Sequence, residues 1–89
     1  MKHYWQHYRG DGQHYGSFWG LFISRKTFNA SFYQSSVDKF LMTYHTHDIR
    51  LYHRVEINGA SKREAMRIAV EIAEAEVERE EKRNENNPI

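Results

Sequence analysis

From Ile49 to Ile57 the chain alternates, with Ile49, Leu51, His53, Val55 and Ile57 set against Arg50, Tyr52, Arg54 and Glu56. That is the period of two of a half-buried strand. Asn58-Gly59 breaks the run, and Ser61-Lys62-Arg63-Glu64 follows. A serine hydroxyl there can accept from a first-turn N–H while the glutamate three residues on reaches back to the serine N–H, a capping box. At about 100° per residue, Ala65, Met66, Ile68, Ala69, Val70, Ile72, Ala73 and Val77 share one broad apolar face. A helix from about Ser61 to Glu80 must therefore lie on something, and the strand before it is nearest. Beyond Val77 the face is lost, because Glu76 and Glu80 enter the apolar sector. Residues 84–89 are expected to form a disordered polar tail.

Upstream the pattern turns aromatic. Lys2 to Tyr8 reads as extended, Gly10, Asp11, Gly12 and Gly16 predict a turn, and Ser17 to Ser24 predicts a strand. This strand is apolar on both faces, Phe18 and Phe22 against Trp19, Leu21 and Ile23, which places it centrally in a sheet. Thr27 to Tyr33 alternates again with Phe28, Ala30 and Phe32 inward, and Arg25-Lys26 joins it to the strand before as a hairpin. Residues 35–47 fit two periods. Val37, Phe40, Leu41 and Tyr44 have helical spacing behind a Ser35-x-x-Asp38 cap, whereas Phe40, Met42, Tyr44 and Thr46 suit a strand face. The expectation is a short helix or turn to about Tyr44, then a loop through His45-Thr46-His47-Asp48.

All thirteen aromatic residues lie at or before Tyr52, and the C-terminal helix offers small and aliphatic groups. The economical assembly is an α+β domain over residues 1–83. It has an antiparallel sheet of three or four aromatic-rich strands covered by one long C-terminal helix. A chain of 89 residues buries a modest core, with stability on the order of 5 kcal/mol, and homodimerisation is an option. The absence of cysteine excludes disulfides and thiolate metal sites and fits a reducing compartment. No apolar run approaches the roughly 20 residues that span a bilayer, and Met1-Lys2-His3-Tyr4-Trp5 is no signal-peptide core. A cytoplasmic protein without a membrane partner is expected. The net charge of +1 is divided: residues 1–60 hold seven Lys/Arg and four Asp/Glu, residues 61–89 six and eight.

The strand–turn–helix unit carries the first candidate site. Gly59-Ala60-Ser61-Lys62-Arg63-Glu64-Ala65, followed by Ala69 and Ala73, resembles the last strand and helix of double-stranded-RNA-binding domains, where a Gly-x-Ser-Lys-Lys-x-Ala run opens the final helix. It is also similar to the sheet-then-helix ending of phage integrase arm-type DNA-binding domains. The resemblance implies a non-catalytic nucleic-acid-binding domain that holds phosphates with Lys62 and Arg63 at the helix N-terminus. Arg67 stands near the lysine expected after the alanine, where this chain has Met66. Lys62 and Arg63 oppose the helix dipole, as do Glu78, Glu80 and Glu81 at the other end, a local rule broken without evident gain.

Arg50, Tyr52 and Arg54 form a second candidate, since Arg–aromatic–Arg on a sheet surface suits stacking on bases and pairing with phosphates. A rival reading uses the outer helix face. Glu71, Glu74 and Glu78, with Tyr52, could dock a basic protein surface, as in a small phage-type inhibitor or adaptor of a nucleic-acid-handling complex. His3 and His7 are four apart and His45 and His47 two apart, yet nothing fixes a ligand set, so no metal or other cofactor is expected. No Gly-x-Ser-x-Gly motif, phosphate-cradling loop or paired core carboxylates appear, and an enzyme is not expected.

Overall fold

The computed structural model describes residues 2–10, 16–23, 28–45 and 52–86. Five strands precede one helix: β1 (His3–Tyr8), β2 (Phe18–Ile23), β3 (Asn29–Ser36), β4 (Lys39–His45), β5 (Tyr52–Asn58) and α1 (Lys62–Asn86). The strands pair antiparallel with their neighbours in chain order, a meander with β1 and β5 at its edges. Expected strand residues Ser24, Thr27 and Ile49 to Leu51, and the loop Thr46-His47-Asp48, lie outside the described residues.

The fifth strand corrects the expected count of three or four, and it comes from the segment with two periods. Lys39–His45 is β4, not the helix or turn expected to Tyr44. Val37 and Asp38 form the tip of a β3–β4 hairpin, and Val37 is 90% exposed, so it anchors no helix face. Gln34 Nε2 donates to the Val37 carbonyl at 3.1 Å and the Ser35 hydroxyl to the Lys39 carbonyl at 3.2 Å. Ser35 thus closes a turn instead of capping a helix. No described non-glycine residue has a positive φ, so the tip lacks the mirror-image turn that matches strand twist. A bulge at Ser35, where Gln34 pairs with Phe40 and Ser36 with Lys39, takes up the difference.

Because successive side chains alternate, the sheet has a helix side and a side that no other described element covers, its uncovered side. On the helix side Leu21, Ile23, Ala30, Phe32, Phe40, Met42, Tyr44 and Ile57 are buried against Ala65, Ala69, Val70, Ala73 and Val77. The helix ridge is small at Ala65, Ala69 and Ala73, each without exposed surface, so the backbone approaches closely and the rings fill the space. Phe32 stacks on Phe40 at 5.4 Å and meets Trp5 edge-on at 5.5 Å. Met66, Ile68 and Ile72 flank this ridge half-buried.

The turn before α1 follows the sequence reading in part. Gly59 takes φ +76, a left-handed conformation that glycine adopts without strain, and its N–H donates to the Asp38 carbonyl at 2.9 Å. Glu64 N–H donates to the Ser61 hydroxyl at 3.2 Å, completing one half of the capping box. The Glu64 carboxylate goes instead to Arg67.

Candidate functional site

The uncovered side of the sheet is organised in rows across the strands. Its middle row is Gln6, Gly20, Ser31, Thr43 and Arg54, each paired with the next. Tyr8 and Phe18 stack on one flank of it at 5.0 Å, and Tyr4 and Phe22 on the other at 4.9 Å. The rings of Tyr8 and Phe22 fold over Gly20, where a Cβ would lie 2.9 Å from each. Tyr4, despite its stacking, is 53% exposed. β2 is therefore interior, as expected, but among the described residues its second apolar face is covered by rings from β1 and not by a further layer.

Past Gly20 the middle row opens into a hollow of about 440 Å³, lined by Phe18, Ser31, Tyr33 and Thr43 with Gly16, Ser17 and Gln34 at its margin. The hydroxyls of Ser31 and Thr43, adjacent across β3 and β4, make no hydrogen bond among the described residues. A smaller hollow of about 240 Å³ adjoins it across Tyr33 and includes Lys39, Leu41, Arg54 and Glu56. Leu41 and Thr43 are 6% and 7% exposed, shielded by their taller neighbours. Lys39 and Arg54 are exposed and form no ion pair among the described residues.

The expected basic cluster lies on the other side of the sheet and is largely engaged. Lys62 Nζ sits 3.8 Å from the centre of the Trp19 ring, a cation–π contact that offsets its unfavourable place in the helix dipole. This is the gain that the sequence did not reveal. Arg67 is held by both Glu64 and Glu71. Its hydrogen bond, then its charge, holds the Glu64 carboxyl below the ordinary carboxylate range, and the same contacts raise the guanidinium. Arg63 is exposed and borders a groove of about 390 Å³ between β1 and α1 with His3, Trp5, Met66, Val70 and Glu74.

The expected site residues are thus not brought together. Lys62, Arg63 and Arg67 are on the helix side, whereas Arg54 is on the uncovered side, one residue from the core-facing Val55. Tyr52 is placed by its backbone opposite His45, and Arg50 lies outside the described residues. Of the acidic stripe, Glu71 is committed to Arg67, Glu74 is half-buried and Glu78 exposed. Among the described residues no three His, Asp or Glu side chains gather into a metal-holding group. His53 Nε2 is buried without a partner, its ring stacked on Tyr44 at 5.1 Å.

Sequence reasoning missed Phe18, Ser31, Tyr33, Lys39 and Thr43. The available signal was the phase of Tyr4 and Tyr8 with Phe18 and Phe22, aromatic pairs at even spacing on strands next to each other. The fold and site define an α+β sheet-and-helix domain with an aromatic, uncovered sheet face. No described helix is long and apolar enough to cross a membrane. The chain matches no protein-family model, no curated protein and no solved structure.

Proposed function

We propose that this protein binds nucleic acid without catalysing a reaction on it, and that the contact surface is the uncovered face of the sheet, with a single strand as the ligand. The observation that carries this reading is the conjunction of stacked rings (Tyr4 on Phe22, Tyr8 on Phe18) with the uncommitted cations Lys39 and Arg54 on that one face. Bases have a π-face whatever their sequence and stack on aromatic side chains at about 1–3 kcal/mol each, while cations beside the rings follow the phosphates. Charge favours this side too. The helix side presents Glu74 and Glu78 and has neutralised Arg67 and Arg79 by pairing them with Glu64, Glu71 and Glu76, so a polyanion is held less well there. The basic helix start, which the resemblance to double-stranded-RNA-binding domains favours, retains Arg63 for a duplex backbone.

Fluorescence anisotropy with labelled single strands, duplex DNA and double-stranded RNA at two salt concentrations tests the reading. Single strands are expected to bind best, with a salt slope reporting about two to four phosphate contacts. Lys39→Glu with Arg54→Glu should abolish the binding. Tighter binding of a duplex, unaffected by that pair, would move the site to the helix start.

A second reading rests on the groove beside the edge strand β1, where Trp5, Met66 and Val70 lie next to Glu74. An inhibitor or adaptor docking on a basic protein surface would use this groove with Glu71 and Glu78. It predicts no affinity for any nucleic acid at low salt.

A further inference from the structure

Resting on the single-strand reading, we infer that the hollow between Phe18 and Tyr33 is a nucleobase subsite: one unstacked base enters it, lies against a ring and is read by the Ser31 and Thr43 hydroxyls. Four observations converge on it. The hollow, about 440 Å³, falls within the roughly 300–1,000 Å³ of small-ligand sites, which pair apolar walls with a few placed polar groups. Its floor is two adjacent hydroxyls that no described residue satisfies. Each can both donate and accept, so together they can pair with a mixed donor–acceptor base edge, best with the base whose groups match their spacing. Its wall at Tyr33 is shared with the second hollow, so a base on one side of that ring has a second stacking position across it. Finally Arg54 follows Thr43 in the same cross-strand row, so its backbone lies one strand spacing, about 4.8 Å, from that of Thr43 and its cation is within reach of a strand seated on the floor.

The neighbouring part of the row explains why the base enters here. At Gly20 the space over the sheet is taken by the Tyr8 and Phe22 rings, whereas at Ser31 and Thr43 it is left to a ligand. The rings over Gly20 then form an outer platform for the next base along. A strand running along the row from Arg54 toward β1 would meet cation, hydroxyl pair and ring stacks in that order. Such a subsite gives preference among bases to a face that would otherwise bind any of them alike.

The test uses the whole chain with fluorescein-labelled oligo-dA, oligo-dC, oligo-dT and oligo-U of about ten nucleotides, a length within the range one small domain covers. Tyr33→Ala is expected to weaken every strand by roughly tenfold or more, and Tyr33→Phe to retain the binding. Ser31→Ala with Thr43→Val, which keep the shape and remove the hydroxyls, should leave the weakest strand unchanged. The same pair should reduce the preference among bases from about fivefold or more to about twofold or less. Ser31→Leu, which fills the floor, should act like Tyr33→Ala. Thermal melts equal to wild type show that the variants are folded. A wild type that binds single strands, with Tyr33→Ala and Ser31→Leu within about twofold of it, overturns the subsite and leaves the binding face standing. A wild type that binds no single strand at low salt overturns both. Oligo-U against an added oligo-dU, which differ only in the 2′-hydroxyl, separates RNA from DNA as the source of the base.

Discussion

Tyr44 carries its hydroxyl into the seam between β4 and α1, where Glu76 Oε1 accepts it at 3.3 Å. This contact explains an acidic residue in the apolar sector of the helix: Glu76 reaches a buried phenol and is held by Arg79 as well. Burial first, then the negative charge of Glu76 and the hydrogen bond it accepts, raise the phenol above its ordinary value of 10.0. The folded chain therefore keeps this proton longer than the unfolded one. The resulting stability is complete below the unfolded value and is lost as pH rises through the folded value. Melts followed from neutral pH upward should fall above pH 10.0, and Tyr44→Phe should flatten that fall. At neutral pH the same change should cost about 1 kcal/mol or less, since Arg79 still satisfies Glu76. An alkaline limb as steep in the variant as in the wild type would contradict the contact.

At the scale of elements, α1 lies on the sheet through a ridge of alanines, and the cost of change there is asymmetric. Ala69→Leu has no space to enter and should destabilise by about 1–3 kcal/mol or more. Ile72→Ala, at a half-buried flank, should cost nearer 1–2 kcal/mol than the roughly 2–5 of a fully buried isoleucine. Urea midpoints with unchanged slopes would measure both, and a larger loss at Ile72 would mean that the helix sits rotated from this ridge. The strand–turn–helix unit was legible because each of its parts obeys a single period: alternation through Ile57, then a stripe from Ala65 to Val77. β4 was not, because Phe40 and Tyr44 fit both periods at once, with Val37 and Leu41 completing a helical face and Met42 a strand face. The choice was made by partners far along the chain, Ala30 opposite Tyr44 and Ile57 opposite Phe40. The aromatic face was hidden for a related reason. The sequence of β2 shows two apolar sides but does not show that one helix covers only one of them.

For the whole molecule, the sheet separates two chemical surfaces, an aromatic face with Lys39 and Arg54 beside Glu56 and a helix face in which, among the described residues, carboxylates outnumber free cations. Lys62→Glu with Arg63→Glu is expected to leave single-strand binding within about twofold, because both residues lie across the sheet from the proposed surface. The change also breaks the Lys62–Trp19 contact but places acids at a helix N-terminus, so the melt should move by no more than about 1 kcal/mol in either direction. Electrophoretic shifts read at low salt check the first expectation and thermal melts the second. Loss of all binding would return the site to the helix start.

The spatial order of the strands is their order in the chain, and this governs how the protein is made. Each new strand emerges beside the one already in place, so the meander can be laid down edge by edge during synthesis without waiting for a distant partner. The cover is the exception, because α1 comes after all five strands. At about 5–20 residues per second, its 25 residues take roughly one to five seconds to add. Until those residues have been added and have left the ribosome, Phe32, Phe40 and both tryptophans lack the helix that covers them. The chain is most exposed to a chaperone, or to another nascent copy of itself, just before its alanine ridge arrives.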